Sequence, residues 1–261
     1  MGERLLIDPS LAPALHAAGV GTAAQLLSLG GDADAAHVVR VVDLPVAGTV
    51  GRFHLKRYAY PSWSRSRGLL GRGTLLGSAP CLQEFRALAQ MREQQVPAVR
   101  PVVAASRSVG GRLSAHALLT EHVPGTRDLQ QRLLDPADPL RTDRRLRRKV
   151  AMLLGHVLHR LHAFGLVHRD LYPRNILLRV DEAGVHEPRL WLCDCRRAGP
   201  PSWRRGAWHD LATLDADWRG RMPRSDRLAT LEAYLEEGAD AGEAVRRIAR
   251  LRPGVRLRPW A

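Results

Sequence analysis

The feature that most constrains the fold of this chain is an octapeptide containing the only asparagine among its 261 residues. It reads His168-Arg169-Asp170-Leu171-Tyr172-Pro173-Arg174-Asn175. At this spacing, one loop can present a carboxylate to an attacking hydroxyl group and a carboxamide to a Mg²⁺ ion on nucleotide phosphates. The motif therefore predicts Asp170 as the catalytic base and Asn175 as a catalytic residue and metal ligand.

This spacing is typical of the catalytic loop of the protein-kinase fold. A chance match is improbable, on the order of one in a thousand at average residue frequencies. The other interpretation is a plain polar loop between a helix and a strand. We expect a phosphotransferase that uses ATP and Mg²⁺.

A second carboxylate follows at the end of a predicted β-hairpin. Residues 176–180 and 190–194 are short apolar strand candidates, and Asp194 ends the second of them. The kinase fold needs another Mg²⁺ carboxylate here. The next residues, Cys195 and Arg196, replace the usual Phe and Gly. Because a metal ligand needs only the carboxylate, Asp194 is predicted to bind Mg²⁺.

Lysine is rare in this sequence and is informative where it occurs. Of the 40 basic residues, only Lys56 and Lys149 are lysines. Lys56 lies in an alternating segment, 53–58, that is typical of a strand. A kinase requires a lysine on its third strand to reach the nucleotide phosphates, a role for which arginine is less suited. Lys56 is therefore a predicted ATP-binding and catalytic residue; the alternative is a solvated strand lysine.

The acidic partner of that lysine is expected on the next helix. Apolar residues recur at helical spacing over residues 80–91. Glu84 lies between two of them and can turn toward the strand. Glu93, beyond the apolar face, is the competing candidate. The alternative interpretation of Glu84 is an ordinary carboxylate on the protein surface. We prefer Glu84.

Four further positions are predicted to contact the nucleotide. Gly48 and Gly51 belong to the turn that precedes the lysine strand. Glu121 and Val123 belong to the hinge that follows a strand candidate at 117–121, where backbone groups would bind the adenine edge.

A long helix is predicted over residues 146–164, where apolar residues form a stripe. It carries three histidines, interpreted as surface or packing residues because carboxylate or cysteine partners for a metal are lacking: His156, His159 and His162. Asp210 is predicted either to brace the catalytic loop through its backbone or to cap a helix N-terminus.

Composition favours a cytoplasmic enzyme. The apolar content of 45% can build a core, no apolar run approaches the roughly 20 residues of a membrane span, and the N-terminus lacks a signal pattern. The three cysteines form no C-x-x-C pair, as expected for reduced thiols. The aromatic content of 5% disfavours a specific nucleic-acid binder.

The net charge of +14 has two interpretations. It can indicate a polyanionic partner, such as nucleic acid, an anionic membrane face or a phosphorylated substrate. It can equally reflect a compositional drift toward arginine.

Taken together, residues 37 to about 215 resemble the lipopolysaccharide kinases of the Kdo and heptose kinase type, a protein-kinase-like family of Gram-negative bacteria. The similarity is carried by segments 55–58, 61–63, 84–88, 168–172 and 194–198, with Val96-Pro97. Cys195 departs from the family pattern. No segment resembles an activation segment ending in A-P-E, which disfavours a protein substrate.

The resemblance implies an α+β, bilobal fold with a small antiparallel N-lobe and a helical C-lobe. We expect an N-terminal helical extension over 1–36, an N-lobe over 37–121 and a C-lobe over 122–261. It also implies ATP, Mg²⁺ and an anionic sugar or glycolipid acceptor at the cytoplasmic face of the inner membrane. An atypical protein or small-molecule kinase and a pseudokinase binding module remain alternatives.

Two regions are specific to this chain. The Arg- and Gly-rich segment 58–77 is interpreted as an anion-gripping loop or a mobile linker. The first 36 residues suggest two short amphipathic helices that pack on the small lobe or, alternatively, lie on a membrane surface.

Overall fold

The computed structural model describes residues 1–30, 37–46, 49–60, 79–180, 187–202, 206–235 and 239–251. The chain forms two compact units. The first comprises Met1–Gln90 and Val99–Val123, and the second comprises Met91–Ala98 and Pro124–Ala261.

The first unit is built on a five-stranded antiparallel sheet with the strand order β1-β4-β5-β3-β2. Its strands are β1 (Gly2–Ile7), β2 (His37–Val46), β3 (Thr49–Ala59), β4 (Pro101–Val109) and β5 (Arg112–Glu121). Its helices are α1 (Ala12–Ala17), α2 (Ala23–Ser28) and the part of α3 (Pro80–Glu93) up to Gln90. The predicted antiparallel sheet is thus present.

The two predicted N-terminal helices form and pack on this sheet. Leu15 of α1 and Leu26 of α2 are fully buried in one cluster with Phe53, Leu55 and Leu119 of the strands. A capping box between Thr22 and Gln25 fixes the start of α2. The apolar residues of both helices are therefore buried in the protein core.

The sequence interpretation of the first 36 residues was incomplete, because it did not include the strand β1. This strand pairs with β4 from Gly2 opposite Ser108 to Ile7 opposite Val103. Polar residues in its first half hide the alternation that marks a strand. Its position depends on a partner about a hundred residues away, and an ion pair between Glu3 and Arg107 at 2.8 Å supports the pairing.

Strand β3 separates two different surfaces. Phe53 and Leu55 face the cluster that contains α1 and α2. Because successive side chains of a strand alternate between faces, Lys56 projects to the opposite face, where it meets α3. A second apolar cluster there joins Leu82 of α3 to Leu118 of β5. The alternation predicted for 53–58 therefore delivers the lysine to the helix that follows.

The second unit is mainly helical. Its helices are α4 (Leu129–Leu134), α5 (Pro139–Thr142), α6 (Arg144–Ala163), α7 (Ala207–Trp218), α8 (Arg224–Tyr234) and α9 (Ala241–Leu251), with a 3₁₀ turn over Pro173–Asn175. A three-stranded antiparallel sheet has the order β6 (Arg127–Asp128), β7 (Ile176–Arg179), β8 (Arg189–Leu192). The predicted hairpin and the predicted long helix are both present.

Helix α6 is the scaffold of this unit, and aspartates fix where it and its neighbours begin. Asp143 accepts hydrogen bonds from the first-turn amides of α6, Asp138 from α5 and Asp128 from α4. Each cap satisfies backbone N–H groups that have no partner inside the helix. No helix among the described residues is both long and apolar enough to cross a membrane.

Helices α6 and α8 approach each other closely at Gly155. A Cβ atom at this position would lie 2.3 Å from the carbonyl oxygen of Thr230 and 2.8 Å from the Cβ of Ala233. No side chain fits in that space without moving the α8 backbone. The glycine thus allows two helix backbones to pack directly against each other.

We predict that Gly155→Ala destabilises the protein. In an exposed helix interior, alanine is favoured over glycine by about 1 kcal/mol. Here the overlap with α8 should reverse the sign and cost roughly 1–3 kcal/mol. Denaturant unfolding of the variant measures the difference. His156→Ala, at an exposed neighbouring position, is the control and should change stability by less than about 0.5 kcal/mol. A more stable Gly155→Ala variant would contradict the packing described.

Candidate active site

The first unit contributes a buried ion pair. The Nζ atom of Lys56 on β3 lies 2.8 Å from the Oε1 atom of Glu84 on α3. The glutamate side chain is 5% exposed and the lysine side chain 23%. Glu93, the competing candidate, is exposed. The structure therefore pairs Lys56 with Glu84, and the buried carboxylate holds an ammonium group that remains accessible from one side.

The other nucleotide-contact candidates of this unit are placed as follows. Gly51 lies on β3, where a Cβ atom would come within 2.8 Å of the Phe53 ring. Gly48 lies outside the described residues. Glu121 ends β5, and its N–H donates to the carbonyl of Arg100 at 2.9 Å. Val123 follows it at the end of this unit. A base contact at position 121 would therefore use the carbonyl group or the side chain.

In the second unit, the catalytic loop is held by one buried carboxylate. Asp210 of α7 is 1% exposed. Its Oδ2 accepts the backbone N–H of His168 at 2.6 Å, and its Oδ1 accepts that of Arg169 at 2.7 Å. The N-cap of α7 is Gly206. Of the two interpretations of Asp210, the brace of the loop is the one that the hydrogen bonds support.

The backbone of the loop is strained where this brace acts. Arg169 has a φ angle of +63°, in the left-handed region that side chains other than glycine rarely adopt. Its guanidinium donates to the carbonyl groups of Arg197, at 3.2 Å, and Pro200. The backbone and side-chain bonds of Arg169 together offset the cost of this conformation.

The three predicted polar residues of this unit are brought together by hydrogen bonds. The Nδ2 of Asn175 donates to the carbonyl oxygen of Asp170 at 2.8 Å and closes the loop. The carbonyl of Asn175 accepts the N–H of Cys193 at 3.0 Å, so the residue before Asp194 is joined to the same loop. Asp170 and Asn175 are buried. Asp194 itself has a φ angle of +54°.

These residues fit a magnesium ion that is shared with phosphate groups. The bond from Nδ2 turns the carboxamide of Asn175 so that its oxygen is left as a ligand, and Asp194 supplies a carboxylate. Mg²⁺ prefers such hard oxygen donors and is usually held by one or two carboxylates with substrate phosphates. Among the described residues, no group of three or more His, Cys, Asp or Glu side chains could hold a metal.

A hydrogen-bonded chain behind Asp210 was missed by the sequence interpretation. Its Oδ2 lies 3.2 Å from the Nε2 of His162, whose Nδ1 lies 3.1 Å from the Tyr234 hydroxyl. Burial and the nearby Asp210 raise the pKa of Tyr234 to about 12. The phenol therefore stays neutral and can donate to Nδ1, while Nε2–H donates to the carboxylate. No local pattern links residues so far apart in sequence.

The cysteine that departs from the usual motif is a packing residue. Cys195 is fully buried, and its Sγ lies 3.5 Å from the Nε2 of His168 and 3.8 Å from the Sδ of Met91. The same imidazole nitrogen lies 3.1 Å from the carbonyl of Cys193. The small thiol fills the space beside the loop histidine.

The fold is that of the kinase-like proteins. The structure of WaaP in complex with acyl carrier protein is similar to it with a TM-score of 0.65 and 21% sequence identity, over 96% of this chain and 95% of that chain. In sequence, residues 69–234 match the profile of the lipopolysaccharide kinase (Kdo/WaaP) family. This chain belongs to that family.

A curated relative shows similarity over part of its length. The chain is 30% identical over 122 residues to a 3-deoxy-D-manno-octulosonic acid kinase of Haemophilus influenzae. The match covers 46% of this chain and 45% of the relative, so the chain spans about half the length of the relative. The predicted family is confirmed, and the predicted class of enzyme, a kinase, is that of the family.

We predict that Glu84→Gln weakens nucleotide binding. The neutral amide no longer balances the charge of Lys56, and a lost charged hydrogen bond is worth about 1.5–3 kcal/mol, or about 10- to 100-fold in affinity. Calorimetric titration of the protein with ATP and Mg²⁺ measures the change. Glu93→Gln is the matched control and should bind as the unaltered protein does. Equal losses in both variants would contradict a specific role for the pair.

We predict that Asp210→Asn loosens the catalytic loop. One amide donor would face a backbone N–H, and each buried donor left unsatisfied costs about 1–3 kcal/mol. Hydrogen exchange should accelerate at the amides of His168 and Arg169. Asp43→Asn, which alters an exposed ion pair with Arg52, is the control and should leave those amides unchanged. Unchanged exchange in Asp210→Asn would contradict the brace.

Proposed function

We propose that this chain is an ATP- and Mg²⁺-dependent kinase that phosphorylates a sugar hydroxyl group of the lipopolysaccharide inner core. The acceptor would be a Kdo or heptose residue, or a related glycolipid. The observation that carries the proposal is the closed loop in which Asn175 is bonded to Asp170 and to Cys193, the residue before Asp194. This arrangement occurs in a chain that belongs to a lipopolysaccharide kinase family.

Each unit would contribute a separate part of the chemistry. Bound ATP supplies the γ-phosphoryl group, and its Mg²⁺ ion neutralises charge on the phosphates. Lys56, fixed by Glu84, would hold the α- and β-phosphates. Asn175 and Asp194 would hold the metal ion. Asp170 would orient the acceptor hydroxyl and take its proton. In this chemistry the protein acts mainly by positioning and by balancing charge.

A pseudokinase would be expected to lack part of this set of polar residues. The four residues that would carry the chemistry are all present in the sequence, and three of them make hydrogen bonds or an ion pair in the structure: Lys56, Asp170 and Asn175. The strained backbone at Arg169 also supports an enzyme, because such strain concentrates at functional sites.

The acceptor class rests on the family and on the name of the Haemophilus influenzae relative. A net charge of +14 suits an anionic acceptor such as an acidic sugar or a phosphorylated glycolipid. Arginines in the segment 58–77 would add to this attraction; residues 61–78 lie outside the described part of the structure. Action at the cytoplasmic face of the inner membrane, where ATP and a lipid-linked acceptor are both available, is part of the proposal.

We predict that Asp170→Asn abolishes phosphate transfer to glycolipid. Without the carboxylate, the acceptor hydroxyl has no proton acceptor, and losses of about 100-fold or more are expected for a general base. The assay follows label from γ-labelled ATP, with Mg²⁺, into a lipopolysaccharide precursor extract and, separately, into a protein extract.

Asp135→Asn is the matched control, because this carboxylate pairs with Arg127 on an exposed part of the same unit. It should transfer label as the unaltered protein does, and chelation of Mg²⁺ should stop transfer in both. Label in protein alone would support a protein kinase instead. Transfer to neither extract, with ATP still bound, would support a pseudokinase.

A further inference from the structure

The catalytic loop contains a cation that forms no ion pair with the residues that the structure describes. Arg174 lies between Pro173 and Asn175 in the 3₁₀ turn. Its Nη2 atom is buried and makes no hydrogen bond within the described residues. A guanidinium group remains protonated in proteins. A buried donor of such a group without an acceptor costs about 1–3 kcal/mol or more.

The guanidinium is held in place by stacking. Its Cζ atom lies 4.4 Å from the centre of the Tyr172 ring, and that tyrosine is itself buried. Arginine over an aromatic face gains a cation–π attraction that fixes the plane of the fork without using its N–H groups. The side chain is thus oriented and half-exposed, while its Nη2 has no hydrogen-bond acceptor within the described residues.

The nearby carboxylate of Asp128 caps a helix and forms no ion pair with Arg174 within the described residues. It accepts the N–H of Gln131 at 2.8 Å and caps α4. Burial raises its pKa, although the field of Arg174 acts in the opposite direction. No ion pair to Arg174 is formed within the part of the chain that the structure describes. The loop therefore keeps a positioned cation without a fixed counter-ion.

The distance along the chain places this cation near the predicted base. Arg174 is the fourth residue after Asp170, and the hydrogen bond between Asn175 and the Asp170 carbonyl folds the intervening chain into a closed loop. Even a fully extended stretch of this length would span only about 14 Å.

We propose that Arg174 binds an anionic group of the acceptor and makes the enzyme selective for acidic sugars or phosphorylated glycolipids. The planar fork matches a carboxylate or a phosphate with two parallel N–H···O bonds. Such a contact with the half-exposed guanidinium would supply a counter-ion and fix the acceptor beside Asp170. This inference rests on the proposed function, because it assigns the acceptor of that reaction.

The test compares three acceptors: a Kdo-bearing lipid A precursor, the same molecule with the sugar carboxyl reduced to an alcohol, and the same molecule with its phosphates removed. Each is assayed for kcat/KM with the unaltered protein and with Arg174→Met. The two altered acceptors distinguish a carboxylate from a phosphate as the group that is bound.

We expect the unaltered protein to lose about 10- to 100-fold in kcat/KM on one of the two altered acceptors, as for a lost charged hydrogen bond. In Arg174→Met, the kcat/KM for the intact acceptor should fall to the value that the unaltered protein shows with that altered acceptor. Removing the same anionic group from the acceptor should then lower the kcat/KM of the variant no further. Such non-additivity is the signature of a direct interaction. The KM for ATP should remain unchanged.

Arg179→Met is the matched control, because Arg179 also stacks on an aromatic ring, with its Cζ 5.4 Å from the centre of Trp191. It should discriminate among the acceptors as the unaltered protein does. Arg174→Lys keeps the charge without the fork and should retain part of the selectivity. This variant serves the comparison if Arg174→Met does not fold, as judged by its unfolding transition.

Three results would overturn the inference. The unaltered protein could treat all three acceptors alike, Arg174→Met could retain full discrimination, or it could lose the same factor on every acceptor, as a purely structural residue would. Failure of the proposed function looks different: the unaltered protein would then transfer no phosphate to any of the acceptors, and the inference would fall with it.

Discussion

The catalytic loop depends on one buried carboxylate, that of Asp210. A carboxylate in the interior is stable only if hydrogen bonds replace the water it has lost. Here the backbone N–H groups of His168 and Arg169 supply them, with His162 as a third partner. The need to satisfy the charge and the need to hold the loop are therefore met by the same bonds. This also explains how Arg169 can keep a positive φ angle.

From this anchor, the geometry of the polar residues follows by short steps. Once His168 is fixed, its imidazole contacts the carbonyl of Cys193 and positions the end of strand β8. The N–H of Cys193 in turn bonds to the carbonyl of Asn175, whose side chain returns to Asp170. The predicted base and both predicted metal ligands thus belong to one hydrogen-bonded circuit within the second unit. Preorganisation of this kind is what phosphoryl transfer requires, because little covalent chemistry is left to the protein.

The parts of this arrangement that the sequence predicted are those with a local pattern. Alternation over 53–58 placed Lys56 on the face of β3 that meets Glu84, and the apolar stripe of α6 indicated the helix before the loop. Strand β1 and the link from Tyr234 through His162 were not predicted, since each depends on a partner distant in sequence. The roles of Gly48, Glu121 and Val123 remain predictions, since a backbone contact leaves no trace in residue type.

The distribution of lysine and arginine in this chain shows which basic residues carry chemical information. All but two of the 40 basic residues are arginine, so composition alone explains most of them. Arg132, a buried arginine of the second unit, is neutralised by Asp138 at 2.9 Å. Arg174, which is half-buried, stacks on the Tyr172 ring and makes no ion pair within the described residues. The proposed anionic acceptor would supply a partner for its buried Nη2 donor. Under the proposed function, the charge of this catalytic loop would be balanced when the acceptor binds.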